Sequence, residues 1–257
     1  MLYRVLEHRQ NDEASEVQVP LVFCHSIVGF VPIPSLRLLK FGLGLAELWV
    51  IVHPGFIDGV SFDDFSIEDQ SLMYAKELHQ ARGDAPFDLC GASWGASMAH
   101  LVATAAQDIG ALARRLLLID PNPAPPYLDE FFAREAISPQ HAAFNCIFGT
   151  FEADGEHIKR AADEIFALPE DALGAYVAKQ YEKTGGIRGT TWDAILCTRQ
   201  IKVYMHCSRS LTRLTRNSIP HFVGYDGGSS IMLVRATHRQ QFFFELVCVP
   251  RREAITH

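Results

Sequence analysis

Gly91-Ala92-Ser93-Trp94-Gly95 carries the residue types that nucleophilic acyl chemistry needs, at the spacing it needs them. A G-x-S-x-G run leaves small residues on both sides of a serine. The chain can then make a sharp strand-to-helix turn that exposes the serine oxygen. The helix beginning there would aim backbone N–H groups at developing negative charge, which makes the Trp94 amide an oxyanion donor. By itself the motif is equally well explained as an ordinary turn. Its flanks decide for Ser93 as nucleophile, since residues 87–90 read as a short strand and 96–109 as a helix rich in small and apolar residues, stopped by Gly110.

A serine is a poor nucleophile until a histidine takes its proton, and that histidine needs a carboxylate to fix its tautomer. The acid should end a strand. Asp120 does so, directly after Arg115-Leu-Leu-Leu-Ile119; the alternative is a loop-capping aspartate ahead of Pro121, Pro123, Pro125 and Pro126. Among the histidines, His25 reads as a structural loop residue, His53 as a strand-end residue, and His100, two helical turns after Ser93, as packed or solvent-facing. His141, His157, His206 and His221 form no ligand spacing. The six cysteines, Cys24, Cys90, Cys146, Cys197, Cys207 and Cys248, include no C-x-x-C pair, so neither a metal site nor a bound cofactor is expected.

The elements that must hold these residues alternate. Residues 17–24 and 48–52 read as buried strands, with 36–45 between them as a glycine-weakened helix. Ser66, with Asp69 three residues on, is a capping signal for a helix that keeps Leu72, Ala75, Leu78 and His79 on one face until Gly83. Residues 115–119 are the next buried strand. Strands alternating with helices imply a parallel sheet with right-handed crossovers and functional groups at the carboxyl ends of its strands. From 128 the pattern changes to amphipathic segments at 128–136, 156–167 and 172–183; residues 230–234 return to a strand pattern, and 242–249 are apolar.

The whole chain bounds what this site can serve. Its 257 residues, 48% hydrophobic and 21% charged, suit one domain with a sizeable core and no need of staples. Thirty acidic against 23 basic residues give no overall footprint for nucleic acid or an anionic membrane. No run approaches the ~18 apolar residues of a membrane span, and the N-terminus lacks a signal-peptide stretch, so a cytoplasmic protein is expected.

Several segments together resemble the α/β-hydrolase thioesterase domain of polyketide and nonribosomal peptide synthases. Pro20-Leu-Val-Phe-Cys-His25 is similar to its first buried strand and oxyanion loop, His53-Pro-Gly-Phe56 to its next strand end, and Ser66-Ile-Glu-Asp69 to its following helix start. Residues 91–103 resemble its nucleophile elbow and helix, and Leu117-Leu-Ile-Asp120 the strand whose last residue carries the acid. Tyr225-Asp-Gly227 and Ile231 to Ala236 resemble its penultimate strand. The resemblance implies an α/β-hydrolase fold over residues 1–257, a mostly parallel sheet with a helical lid inserted at about 127–220. It implies a second oxyanion N–H from Ser26 or Ile27, and a thioesterase whose substrate hangs on the phosphopantetheine of an acyl or peptidyl carrier protein.

The histidine departs from the family pattern, which puts it on a loop after the last strand, followed by a helix. His257 follows the last strand pattern but is the final residue; His238 comes directly after the penultimate-strand motif. Both remain candidates for the base. Measured against the family, the chain stops where the last histidine loop and helix are expected. Two other readings keep the fold: a carboxylesterase or lipase, and a binding domain that has lost its histidine. Between Asp193 and Asp226 no acidic residue occurs, while Arg199, Lys202, Arg209, Arg213 and Arg216 accumulate. These form either a solvated face or a poorly ordered segment, or else a surface that steers acidic carrier proteins.

Overall fold

The computed structural model describes residues 1–7, 19–31, 47–58, 60–62, 65–111, 113–119, 163–164, 167–183, 194–213, 231–238 and 241–249. It divides into two compact units. The first, Met1–His53 with Asp64–Pro123 and Arg216–His257, holds a seven-stranded sheet. Its strands are β1 (Leu2–Glu7), β2 (Leu21–Cys24), β3 (Glu47–Ile51), β4 (Phe87–Ala92), β5 (Ala113–Ile119), β6 (Ile231–His238) and β7 (Gln241–Val249), in the order β1-β3-β2-β4-β5-β6-β7. The five inner strands are parallel to one another, while β1 and β7 close the edges antiparallel.

The parallel strands read as continuous apolar runs because both of their faces are covered. All four residues of β2 are buried, and Phe87, Leu89 and Cys90 of β4 are fully buried. Residues 17–24 read as one strand, but pairing begins only at Leu21. Pro20 has no N–H to give the ladder, although its carbonyl still accepts from the Asp88 N–H at 2.9 Å.

Helix α1 (Ile67–Arg82) starts at a complete capping box: the Ser66 hydroxyl accepts the Asp69 N–H at 3.0 Å, and the Asp69 carboxylate accepts the Ser66 N–H at 3.1 Å. Gly83 ends it, its N–H donating to the His79 carbonyl. The buried face differs from the apolar face read in the sequence. Ile67, Gln70, Ser71, Tyr74, Ala75 and Leu78 point inward, and Leu72 and His79 are only half-buried. Polar side chains occupy inward positions of the 3.6-residue repeat, where hydrophobicity alone does not register them. Helix α2 (Trp94–Asp108) buries Ala96, Ala99, Ala103 and Ala106, whose small side chains let it lie close on the sheet.

One strand, β1, went unread in the sequence, and β4, β5 and β6 extend beyond the runs read at 87–90, 115–119 and 230–234. In β1, Tyr3, Arg4 and Val5 are all exposed, as befits an edge strand, so no clear inward alternation marks it. β6 runs on to His238 and turns directly into β7, with His238 opposite Gln241.

The second unit, Pro54–Asp63 with Ala124–Thr215, lies in sequence largely between β5 and β6. Its described elements are a 3-10 turn (Pro54–Phe56) and helices α3 (Glu170–Lys183) and α4 (Ala194–Arg213). The segments expected at 36–45 and 128–136, and nearly all of 156–167, lie outside the described residues, as does much of the expected lid. Helix α4 carries Arg199, Lys202, Arg209 and Arg213 of the cationic stretch, with Lys202 exposed, while Arg216 lies outside the described residues. The helix buries Cys197, Gln200, Ile201, Val203, Tyr204, His206, Cys207 and Ser210, a face whose several polar members hide its period. Arg199 is engaged within this unit, donating to the Phe56 carbonyl at 3.2 Å and pairing with Asp58.

Candidate active site

Strand β4 delivers Ser93 to the carboxyl end of the parallel sheet, and α2 begins at the next residue. Ser93 sits at φ 53° and ψ −123°, alone among the described non-glycine residues in having a positive φ. That conformation costs about 1–3 kcal/mol and persists only where the surroundings enforce it. Here the enforcing contacts are visible. A Cβ on Gly91 would lie 1.9 Å from the Gly95 carbonyl oxygen, and one on Gly95 would lie 2.5 Å from the His25 carbonyl oxygen and 2.9 Å from that of Cys24. All of these obstacles are backbone, so both motif glycines are required by close approach. The Ser93 N–H donates to the Ile119 carbonyl at 2.8 Å, tying the elbow to the end of β5. Ser93 itself is exposed, makes no cap hydrogen bond to its own helix, and is followed by the fully buried Trp94.

The Trp94 N–H, the expected oxyanion donor, belongs to the first turn of α2, at the positive end of the helix. The loop after β2 lies against the same turn through the Gly95 contact. Of its two expected donors, Ser26 gives its N–H to the Phe30 carbonyl at 3.3 Å, whereas no backbone carbonyl among the described residues takes that of Ile27. A turn shapes this loop: Gly29, at φ 85°, donates to the Ser26 carbonyl at 2.8 Å, and its own carbonyl accepts the His53 N–H at 2.8 Å.

Beneath the loop lies a buried polar cluster. The His25 ring stacks on Trp94, with centroids 4.9 Å apart and planes 22° apart. Its Nδ1 is 2.8 Å from the Ser26 carbonyl oxygen and its Nε2 is 3.0 Å from the Tyr74 hydroxyl. His53 meets the His25 ring edge-on at 5.4 Å and accepts from the Gln70 amide at 2.9 Å. Sequence reading missed Tyr74 and Gln70. The signal was their spacing, which shares the inward stripe of Ile67, Ala75 and Leu78.

Burial raises the thiol pKa of Cys24 and Cys90 well above the ordinary thiol range, so these neighbours of the elbow stay protonated and do not compete as nucleophiles. Asp120 lies outside the described residues, one position past Ile119, which pairs with Ala92 of the elbow strand. His257 also lies outside them. His238 ends β6, four residues past Val234, which is paired with Ile119. β7 then runs back and ends at Val249 opposite Ile231, at the amino end of β6. Among the described residues no group of His, Cys, Asp or Glu could hold a metal ion, and no helix is long and apolar enough to cross a membrane.

No protein-family model matches the sequence, and no curated protein matches it significantly. Solved structures do match. The chain is 16% identical to the wild-type Vlm2 thioesterase domain, covering 94% of this chain and 81% of that one with a TM-score of 0.55. It is 17% identical to the holo form of AB3403, a four-domain nonribosomal peptide synthetase bound to AMP and glycine, with a TM-score of 0.60; the match covers 93% of this chain and 17% of that one. The fold is the α/β-hydrolase fold of thioesterase domains. Within that fold, a serine at positive φ between a central parallel strand and its helix stands where such sheets carry their functional groups.

Proposed function

We propose that this protein is a serine thioesterase that releases acyl, polyketide or peptidyl chains from the phosphopantetheine arm of a carrier protein. The observation that carries the reading is the strained, exposed Ser93 at the strand-to-helix elbow. Its Oγ attacks the thioester carbonyl while a histidine takes the hydroxyl proton, and Asp120 orients that histidine. The Trp94 and Ile27 N–H groups receive the negative charge of the tetrahedral intermediate. The C–S bond breaks, the thiolate takes the proton from the histidine, and an acyl ester remains on Ser93. Water, or an internal hydroxyl or amine of the chain, then attacks that ester and gives the acid or the ring.

Of the two candidate bases we take His238, His257 lying outside the described residues. β6 carries His238 beyond the carboxyl end of the sheet, whereas β7 turns the chain back toward the amino end. No bound cofactor is needed, because the phosphopantetheine arrives with the substrate. The cations Arg209, Arg213 and Arg216 are the proposed attraction for an acidic carrier protein; reversing their charge should slow carrier-bound substrates and spare small thioesters, and equal effects on both would exclude that role.

A fluorophosphonate should label the protein once, and Ser93→Ala should abolish the label. Acyl N-acetylcysteamine thioesters should turn over faster than matching oxygen esters, and His238→Ala should lose far more rate than His257→Ala. Labelling that survives Ser93→Ala would remove Ser93 as nucleophile; a preference for oxygen esters would replace thioesterase by carboxylesterase. A protein that neither labels nor turns over would be a binding domain.

A further inference from the structure

We infer that His25 is a positioning residue that aims the Ile27 N–H at the oxyanion, and that Tyr74 on α1 fixes His25 in the state that does so; this rests on the thioesterase reading of Ser93. A peptide unit is planar and trans, so its C=O and N–H point in opposite directions and move as one body. The unit joining Ser26 to Ile27 carries the Ser26 oxygen at one end and the Ile27 N–H at the other. Two donors hold that oxygen, the Gly29 N–H at 2.8 Å and His25 Nδ1 at 2.8 Å. Anchoring the carbonyl therefore sets the direction of the opposite N–H.

A carbonyl oxygen only accepts, so His25 Nδ1 must carry a proton. In the neutral ring Nε2 is then the acceptor, and the Tyr74 hydroxyl 3.0 Å away is its donor. Tyr74 thus selects the tautomer that holds Ser26. The ring is completely buried, stacks on the residue next to the nucleophile, and meets His53 edge-on, so it has little room to turn away. His53 is held in turn by Gln70. One histidine so couples both oxyanion donors: its ring packs on Trp94 and its Nδ1–H fixes the carbonyl paired with the Ile27 N–H.

The test compares His25→Phe, His25→Asn and Tyr74→Phe in the full chain. Phenylalanine keeps the stacking and loses the N–H, whereas the asparagine amide can restore a donor near Nδ1. Removing a whole oxyanion donor costs about 10²–10³ in kcat, so misdirecting one should cost about 10–100-fold in His25→Phe. KM for an acyl N-acetylcysteamine should stay within about twofold, the pattern of an interaction made only in the transition state. Tyr74→Phe should lose less than His25→Phe, and His25→Asn should recover part of the loss. Affinity for a trifluoromethyl ketone, which forms an oxyanion on Ser93, should fall with kcat/KM while a thioether analogue binds unchanged.

Wild-type rates in Tyr74→Phe and either His25 variant would overturn the inference, as would equal losses for both ligands. If His25→Phe does not fold, Tyr74→Phe and His25→Asn decide. If the wild type neither labels nor turns over, the thioesterase reading fails by itself. The Ile27 amide resonance then decides the positioning role: a shift in His25→Phe that His25→Asn restores supports it, and no shift in any variant overturns it.

Discussion

The elbow stores backbone strain that a pair of substitutions can weigh. Ser93→Ala and Ser93→Gly both remove the hydroxyl, and with it every interaction of Oγ, so the difference between them isolates the Cβ. At φ 53° and ψ −123° a side chain costs about 1–3 kcal/mol, which alanine retains and glycine relieves. Glycine loses about 0.4–1 kcal/mol of this by enlarging the freedom of the unfolded chain. The balance leaves Ser93→Gly more stable than Ser93→Ala by about 1 kcal/mol, or about 2–4 °C in Tm for a chain of this size. Urea titration of both variants at pH 7 measures it, with the shift appearing in the midpoint and not in the slope. Neither variant should take up a fluorophosphonate. Equal stability, or a less stable glycine variant, would refute the claim that the fold forces Ser93 into a conformation its side chain resists.

Gly95→Ala places a methyl group 2.5 Å from the His25 carbonyl oxygen, so the loop and α2 must part; Tm should fall by several degrees and turnover at least tenfold, and a variant with wild-type kcat would show that the loop yields freely. The capping box makes α1 pH-sensitive, because hydrogen bonds from the Ser66 side chain and backbone hold the Asp69 carboxyl below the usual carboxylate range. A lowered folded pKa means stability present above the unfolded value and lost as pH falls through the folded one. Asp69→Asn should therefore lower Tm at pH 7 and converge on the wild type near pH 2–3, and a constant difference would remove the charged cap as its cause. In the second unit, Asp58→Asn should cost under about 1 kcal/mol because that carboxylate is exposed. Arg199→Ala should cost more, since it also releases the Phe56 carbonyl, and equal effects in thermal melts would deny that second bond any weight.

The parallel strands and the elbow were legible because burial on both faces writes continuous apolar runs, and because a tight strand-to-helix turn tolerates little but glycine at 91 and 95. The α1 cap was legible for a similar reason: Ser66 and Asp69 satisfy each other across three residues without help from elsewhere. Helix α4 escaped because its inward face carries Gln200, His206 and Ser210, which look like surface until a partner is known. Tyr74 escaped in the same way. Its inward position could be counted along α1, but the histidine it meets is 49 residues away in sequence.

Local rules thus determined the strand-to-helix turn at Ser93 and the alternation of strand and helix, since each is settled by neighbours within a few residues. The tertiary structure alone decided the partner of the Ser26 N–H, a carbonyl that only the folded loop brings to it. It also decided that His25 serves the loop, through a carbonyl beside it and a hydroxyl from a distant helix. Hydrogen-bond partners brought together by folding have no spacing to read, and the direction of β7, which runs back along β6, is set by pairing and not by composition.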